Sequence, residues 1–285
     1  MGLDQARFLI YGAAPLANEI REYFLSLGFF LINVYGMSEN SGPATWQTWD
    51  PGYKANIRSA GPKLRGTSVM IYSPDKDGEG EICFRGRNCF SGYFKNEEET
   101  LKTIDNKKYT HSGDLGKLDP HGNLLITGRI KELIITAGGE NVAPVPIEDL
   151  VKKELPFISN AVVIGDKRKY LIVLLTLKHI DDGGQPGNRI SDDVIAYLTS
   201  EGIENPQNLD ELFKNKKFID LVQAGIERVN SVSVSRAAHI RKWAPLKGDF
   251  SVAGGEFTPT LKLKRNVIQK QYSAVIESLY IEPKL

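Results

Sequence analysis

The sequence lacks the features that mark several classes of protein. It holds only two cysteines, Cys83 and Cys89, and they are not spaced as a C-x-x-C pair. This pattern is typical of a reducing compartment and predicts no structural zinc site. The longest apolar run, YLIVLLTL at 170–177, is far shorter than the roughly 20 residues of a membrane-spanning helix. It is therefore predicted to be a buried strand.

An excess of charge of one sign is also absent. The chain has 36 Lys and Arg against 35 Asp and Glu, so it lacks the strongly basic surface expected of a nucleic-acid-binding protein. The start, MGLDQARFLIYG, shows no basic region leading into an apolar stretch, and we expect no secretory signal there. With 41% hydrophobic and 25% charged residues, the composition is that of a globular protein. Its length suits one large domain or two ordinary ones.

The first 58 residues have the pattern of a strand–helix–strand unit. Residues 7–10 predict a short strand, and residues 29–34 predict a second one. Between them, apolar residues recur at helical spacing up to Gly28, which suits the C-cap of a helix. We expect the two strands to be parallel, with a right-handed crossover. The loops YGAA (11–14) and YGMSEN (35–40) would then share the carboxyl edge of the sheet, where open α/β sheets bind ligands.

Two further segments with different sequence patterns follow along the chain. From 59 to 127, short β-rich pieces (SVMIY, GEICFRG, NLLITG) alternate with turns such as SPDKDGEG and DPHGN, which predicts a β meander or barrel-like subdomain. After Gly128 we expect a compact α+β domain. It would contain a helix starting at Pro146 with acids in its first turn, a hairpin of NAVVIG and YLIVLLTL, a surface loop DDGGQPGNR, a helix over 218–229 and a final helix over 267–279. The domain boundary is predicted near Arg129.

Two polar motifs in the first 128 residues suggest nucleotide chemistry. In YGMSEN, a tyrosine can stack on a base, while a serine and a carboxylate can serve phosphate and Mg²⁺. In YTHSGDLG, the carboxylate of Asp114 between two glycines can accept hydrogen bonds from a ribose diol. Taken alone, either motif can also be an ordinary turn, of the Asx type in the second case.

Two more motifs lie further along. TGRIKELIITAGGENVAP (127–144) sets a fixed cation before a buried strand and two glycines after it, a pattern that also fits a solvated turn into an edge strand. TPTLKLKR (258–265) offers lysines that can neutralise charge on a transferring phosphoryl group, or can form a solvated basic turn.

The order and spacing of these motifs resemble the adenylate-forming enzymes. GAAPL, YGMSE, HSGDLG, GRIKELIITAGGENVAPVPIE and TPTLKLKR follow one another over nearly the whole chain. Together with LPFISNAVVIGDKRKYL, they are most similar to the bubblegum type of long-chain acyl-CoA synthetase. The resemblance implies an α/β and α+β fold. Residues 1–128 would be part of a large N-terminal AMP-binding domain, with an α/β piece at 1–58 and a β-rich subdomain at 59–128. Residues 129–285 would form a small mobile C-terminal domain.

The resemblance also implies an activity, its partners and a place in the cell. It implies ATP-dependent activation of a long-chain fatty acid to its acyl-CoA through an acyl-adenylate. The required groups are ATP, Mg²⁺ and coenzyme A, with no nucleic acid partner. The protein would be cytoplasmic, or peripheral on the endoplasmic reticulum or other intracellular membranes.

The family's functional positions can be matched to this sequence one by one. In the site for ATP or AMP, the adenine pocket would be formed by Gly12, Ala13 and Ala14, with Tyr35 stacked on the base and Gly36 beside it. The phosphates would face Ser38. The ribose would be held by Asp114 and Arg129. Glu39 would hold Mg²⁺. Lys131 would be the hinge, and Gly138, Gly139 and Glu140 would form the loop that meets CoA. Lys262 would be the adenylation lysine; Lys264 is the rival, because Leu261 replaces the glycine usual before that lysine.

The sequence also departs from the family. Nothing here matches the family's Ser/Thr/Gly-rich phosphate-binding loop, so we expect an N-terminally truncated member. Tyr11 stands where the family has a small residue, and it would crowd or reposition the adenine loop. The alternative is a catalytically inactive nucleotide-binding or regulatory module of the same fold. A third possibility keeps the fold and changes the acceptor, as in luciferases or carrier-protein adenylation domains.

Overall fold

The structure is a computed structural model that describes residues 2–13, 16, 18–48, 57–182, 185–233, 235–259 and 261–281. The chain divides into two compact units, Met1–Glu132 and Leu133–Leu285. The division lies a few residues beyond the predicted boundary. In the described part of the chain, no helix combines the length and the apolar character needed to cross a membrane.

The first unit begins with a three-stranded sheet. It consists of β1 (Leu9–Gly12), β2 (Leu31–Met37) and β3 (Gly42–Trp46), with α1 (Asn18–Ser26) between the first two strands. β1 and β2 are parallel, which confirms the predicted strand–helix–strand unit. β3 pairs with β2 antiparallel through residues up to Met37. The prediction of a loop at YGMSEN is therefore wrong for its first half, and only Ser38–Asn40 forms a 3₁₀ turn.

The second sheet of this unit is the predicted meander. It runs in the order β4 (Thr67–Tyr72), β5 (Gly80–Gly86), β6 (Thr110–Leu118) and β7 (Leu124–Arg129), all antiparallel. A short helix that sequence patterning missed, α2 (Glu97–Thr103), precedes β6. Its N-terminus is capped by the Asn96 side chain, and acidic residues fill its first turn, an arrangement that favours a helix start. Fully buried side chains of both sheets form one core: Ala44, Ile82, Phe84 and Leu124.

The second unit is built on a three-stranded sheet in the order β10 (Ile158–Ile164), β11 (Leu171–Leu177) and β14 (Ile240–Leu246). β10 and β11 form the predicted antiparallel hairpin, and β14 adds in parallel to β11. The other elements are β8 (Ile134–Ile135), β9 (Asn141–Val142), α3 (Pro144–Glu154), β12 (His179–Asp182), β13 (Gln185–Ile190), α4 (Asp192–Ser200), α5 (Leu209–Leu212), α6 (Lys216–Ser231), α7 (Arg265–Gln271) and α8 (Ser273–Tyr280).

Both faces of this sheet are covered. Alternate residues of β11, such as Val173 and Leu175, pack in a cluster with α3, α4 and α6, whereas Ile172 and Leu174 pack on the other side with residues of α7 and α8. All seven residues of β11 are buried, which explains why the strand reads as a continuous apolar run. The apolar spacing over 218–229 predicted α6 correctly.

Three expectations for this unit are wrong. DDGGQPGNR is not a plain loop, because it forms part of the paired strands β12 and β13. The final helix is two helices, broken at Tyr272, whose hydroxyl donates to Glu256 at 3.3 Å. α3 starts at Pro144 instead of Pro146, so its acids lie beyond the first turn.

Candidate functional site

A buried carboxylate lies where the two sheets of the first unit meet. β6 and β7 pair so that Asp114 lies opposite Arg129, and the Arg129 Nε is 2.9 Å from one Asp114 oxygen. The Tyr35 hydroxyl, from β2, donates to the other oxygen at 2.7 Å. The predicted ATP-binding residues Tyr35, Asp114 and Arg129 therefore lie together. Asp114 is in a strand, so the expectation of a tight turn is wrong.

The backbone around Asp114 is held by side chains of the neighbouring strand region. Gly113 has φ +72°, a left-handed conformation that favours glycine, and its N–H donates to Glu81 Oε1 at 3.0 Å. The Ser112 hydroxyl accepts from the Asp114 N–H at 3.0 Å and donates to the Ile82 carbonyl at 2.6 Å. These bonds hold the backbone from which the Asp114 side chain projects.

The protonation state of Tyr35 follows from its surroundings. Burial raises the pKa of Tyr35 far above its ordinary value, and the nearby Asp114 charge raises it further. The hydroxyl therefore remains a donor at any physiological pH. Since a carboxylate offers about four lone-pair sites, Asp114 can still accept from ligand hydroxyls beside its two protein partners. A ribose diol is a ligand of this kind.

The glycine after Tyr35 has a structural reason of its own. A Cβ on Gly36 would lie 1.9 Å from the Gly42 carbonyl oxygen, across the turn to β3. The close approach of backbone to backbone therefore requires glycine here, independently of any adenine.

Replacement of Gly36 by alanine should destabilise the first unit by about 2–3 kcal/mol, because backbone atoms must move to admit the methyl group. Hydrogen exchange of the β2 and β3 amides measures this. The control is Gly138→Ala, whose Cβ would meet only Thr136 Oγ1 at 3.7 Å, an ordinary contact. Unchanged hydrogen exchange in the Gly36 variant would show that β2 and β3 admit the methyl group without any loss of stability.

Glu39 is the candidate Mg²⁺ ligand. It lies in the 3₁₀ turn next to the exposed Ser38, and its Oε1 accepts from the Tyr93 hydroxyl at 2.7 Å. Mg²⁺ in phosphate-binding sites is usually held by one or two carboxylates plus the phosphates. A partly exposed carboxylate with one oxygen oriented by a tyrosine fits that requirement.

The adenine-loop residues lie at the end of β1. Gly12 is its last residue, and Ala13 follows with φ +65°, whereas Ala14 lies outside the described residues. The hydroxyl of Tyr11 accepts from Arg21 of α1 at 2.8 Å. This bond ties the tyrosine that replaces the family's small residue to α1.

Lys131 is exposed and lies in the 3₁₀ turn Ile130–Glu132, the last three residues of the first unit. This is where a hinge is predicted.

The glycine loop of the second unit is the tip of the β8–β9 hairpin. Gly139 has φ +80°, and its N–H donates to the Thr136 carbonyl at 2.9 Å, so the tip is a closed turn. Gly138 and Glu140, with Thr136, line a cavity of about 130 Å³ that several basic residues also line. Its basic residues are Lys169, Arg236 and Arg241, and His239 also lines it. These residues carry no sequence signal, because they are scattered along the chain and only folding brings them to the loop.

The two candidate adenylation lysines differ in their setting. Leu261 has φ +57°, the region that favours glycine, so it occupies the position for which the family uses glycine. Lys262 follows it and is exposed on a hairpin tip, where its N–H donates to Thr258 Oγ1 at 3.0 Å. Lys264 is less exposed, precedes α7, and its N–H is held by the Glu256 carbonyl at 2.7 Å.

Two family models match the chain. The model of the AMP-binding enzymes matches residues 2–94, and that of the AMP-binding enzyme C-terminal domain matches residues 131–197. The long-chain-fatty-acid–CoA ligase ACSBG2 of Gallus gallus is 46% identical, over 99% of this chain and 37% of that protein. The long-chain-fatty-acid–CoA ligase heimdall of Drosophila melanogaster is 41% identical, over 98% of this chain and 44% of that protein. The chain spans about two fifths of the length of these curated relatives.

Solved structures share the fold. The A domain of a carboxylic acid reductase from Segniliparus rugosus, in complex with AMP and a co-purified carboxylic acid, matches with a TM-score of 0.69 and 18% identity, over 95% of this chain and 39% of that chain. ATP-bound MatB from Rhodopseudomonas palustris matches with a TM-score of 0.67 and 22% identity, over 94% of this chain and 46% of that one. The architecture predicted from sequence, that of adenylate-forming enzymes, is confirmed.

Proposed function

Since the chain belongs to the AMP-binding enzymes, we propose that it acts in the ATP-dependent activation of a long-chain fatty acid to its acyl-CoA, through an acyl-adenylate. The observation that carries the proposal is the Asp114 carboxylate, buried and oriented by Tyr35 and Arg129, in a chain 46% identical to a protein named as such a ligase. We place this activity in the cytoplasm or on the surface of intracellular membranes.

In this proposal the first unit holds the nucleotide. Asp114 and Arg129 bind the ribose hydroxyls, and the Tyr35 ring, which also packs on Phe84, lies against the adenine beside Gly12 and Ala13. Ser38 faces the phosphates. Glu39, oriented by Tyr93, would hold Mg²⁺. When bound, that ion offsets negative charge on the phosphates and their leaving group.

The second unit supplies the groups that act in turn. The Lys262 ammonium offsets the charge that develops as the carboxylate attacks the α-phosphorus and pyrophosphate leaves. Lys131 is the hinge about which this unit then turns. The Gly138–Glu140 tip meets CoA, whose thiolate attacks the acyl-adenylate and releases AMP. The basic residues that line the cavity beside this tip, Arg236 and Arg241, suit a phosphate-bearing thiol substrate.

The direct test is an acyl-CoA assay with ATP, Mg²⁺, CoA and a saturated long-chain fatty acid, accompanied by calorimetry with AMP. Formation of the thioester supports the proposal. Binding of AMP without any adenylate or thioester would instead establish the inactive nucleotide-binding module. Turnover of acetate or an aryl acid, with none of the long-chain acid, would overturn the substrate class.

The two lysines can be separated by matched variants. Lys262→Ala should lower the rate of ATP–pyrophosphate exchange by about 100-fold, since one donor at a site of developing charge typically contributes a factor of this size. Lys264→Ala removes the same charge two residues away and should retain most of the rate. The reverse order of the two variants would assign the role to Lys264.

A further inference from the structure

A second cluster of chemically reactive groups lies on β5 and β6, a few residues before Asp114 along β6. The two strands pair so that Cys83 lies directly opposite His111, and Glu81 lies two residues before Cys83. The Cys83 Sγ is 3.5 Å from His111 Nδ1, and that nitrogen is 2.6 Å from Glu81 Oε2. These three atoms lie within 4.8 Å of one another. One thiol, one imidazole and one carboxylate therefore converge on a single point.

The spacing of the three atoms suits a metal ion. Zn²⁺ binds sulfur at about 2.3 Å and nitrogen or oxygen at about 2.0–2.2 Å, so its ligand atoms lie roughly 3–4 Å apart. The contact between Cys83 and His111 is already in this range. The short contact between His111 and Glu81 needs to open by about half an ångström, which a side-chain rotation allows.

Two of the three proposed ligands are themselves contacted by neighbouring groups that could orient them. The other ring nitrogen of His111 faces Asp105, with Nε2 3.9 Å from the carboxylate. The other oxygen of Glu81 accepts the Gly113 N–H at 3.0 Å. Metal-binding histidines usually donate their second nitrogen to a carboxylate, and metal-binding carboxylates are hydrogen-bonded in turn.

The negative charge at this point favours a cation. Cys83 is fully buried, while the side chains of His111 and Glu81 are 18% and 16% exposed. The carboxylates of Glu81 and Asp105 place negative charge beside the Cys83 thiol. A cation bound between them would offset that charge, and metal coordination deprotonates a thiol.

We propose that Glu81, Cys83 and His111 bind a thiophilic divalent cation, Zn²⁺, in the first unit. Binding replaces the thiol proton, which leaves to solvent, by the metal–sulfur bond. A water molecule takes the fourth position of the tetrahedron. Because Glu81 also holds the N–H of Gly113, next to Asp114, the site is coupled to the nucleotide-binding carboxylate through one hydrogen bond.

Cobalt substitution tests the proposal, since Co²⁺ bound to a thiolate gives a sulfur-to-metal charge-transfer band in the near ultraviolet. The band should appear at one equivalent of Co²⁺, disappear on addition of Zn²⁺, and be lost in Cys83→Ser. The matched control is Cys89→Ser, the other cysteine, which should retain the band. A band that is lost in the Cys89 variant, or no band in the parent chain, overturns the proposal.

Affinity measurements separate ligation from folding. With a chromophoric zinc chelator as competitor, His111→Gln should abolish one-to-one Zn²⁺ binding, and Asp105→Asn should weaken it by about 10- to 100-fold. Circular dichroism checks that each variant keeps its fold. If folded His111→Gln binds Zn²⁺ as tightly as the parent chain, the histidine is no ligand and the site is not the one proposed.

Discussion

Replacement of Asp114 by alanine should weaken AMP binding by about 1,000-fold. Hydrogen bonds to a charged group contribute about 1.5–3 kcal/mol each, and the proposed ribose contacts are two such bonds. Their loss costs about 4 kcal/mol, and each 1.4 kcal/mol is a factor of ten in affinity. Isothermal titration calorimetry with AMP measures the change directly, whether or not the chain completes the reaction.

Two variants make this result specific. Tyr35→Phe removes only the hydroxyl that donates to Asp114, and its effect on AMP affinity should stay below about tenfold, since one neutral donor is lost. Glu97→Ala removes an exposed carboxylate from the first turn of α2 and should leave AMP affinity unchanged. Equal AMP affinity in the parent chain and the Asp114 variant would remove that carboxylate from the nucleotide site.

The fold was largely predictable where patterns are local. The helix over 218–229 follows from the spacing of its apolar residues, because one of its faces packs against the core. The hairpin of β10 and β11 follows from continuous apolar runs, because the sheet is covered on both faces. The prediction of a loop over YGMSEN was wrong because residues 35–37 form a strand by pairing with β3. The residues of β3 lie outside the motif, so the motif alone does not indicate the pairing. The break between α7 and α8 was missed for a similar reason, since apolar spacing continues through it.

The candidate site was predictable only through the order of its motifs. The motifs that contain Asp114, Tyr35 and Arg129 can each be explained as an ordinary turn when taken alone. Folding of the strands brings the three side chains within hydrogen-bonding distance. The Glu81–Cys83–His111 cluster carries no sequence signal, because its residues come from two strands. The predicted absence of structural zinc rested on cysteine spacing, which cannot detect a site with one cysteine.

Glu148 is the clearest case of a residue whose role depends on distant contacts. The sequence predicts it as one of the acids in the first turn of the helix starting at Pro146. In the structure its side chain is only 8% exposed and forms a two-pronged ion pair with Arg265, with both N–O distances 2.6 Å. It also accepts the Val163 N–H at 2.7 Å. One carboxylate thus joins α3, β10 and the start of α7, just after the Lys262 hairpin.

Replacement of Glu148 by glutamine should destabilise the second unit by about 3–5 kcal/mol, because it removes one charge of a largely buried ion pair. The matched control is the neighbouring Asp149→Asn, whose ion pair with Lys152 is exposed and should contribute less than about 1 kcal/mol. Hydrogen exchange of the β10 and β11 amides reports the free energy of opening for this unit alone.

A double variant distinguishes the cost of an unpaired charge from a simple loss of packing. Glu148→Gln combined with Arg265→Met removes both charges of the buried pair, and it should be less destabilising than Glu148→Gln alone, because removing a whole buried ion pair costs less than breaking one. Additive effects of the two substitutions would mean that the pair is not coupled. Equal effects of Glu148→Gln and Asp149→Asn would mean that burial adds nothing to the ion pair. The predicted order, with the double variant between the control and the single variant, requires both the burial and the pairing seen in the structure.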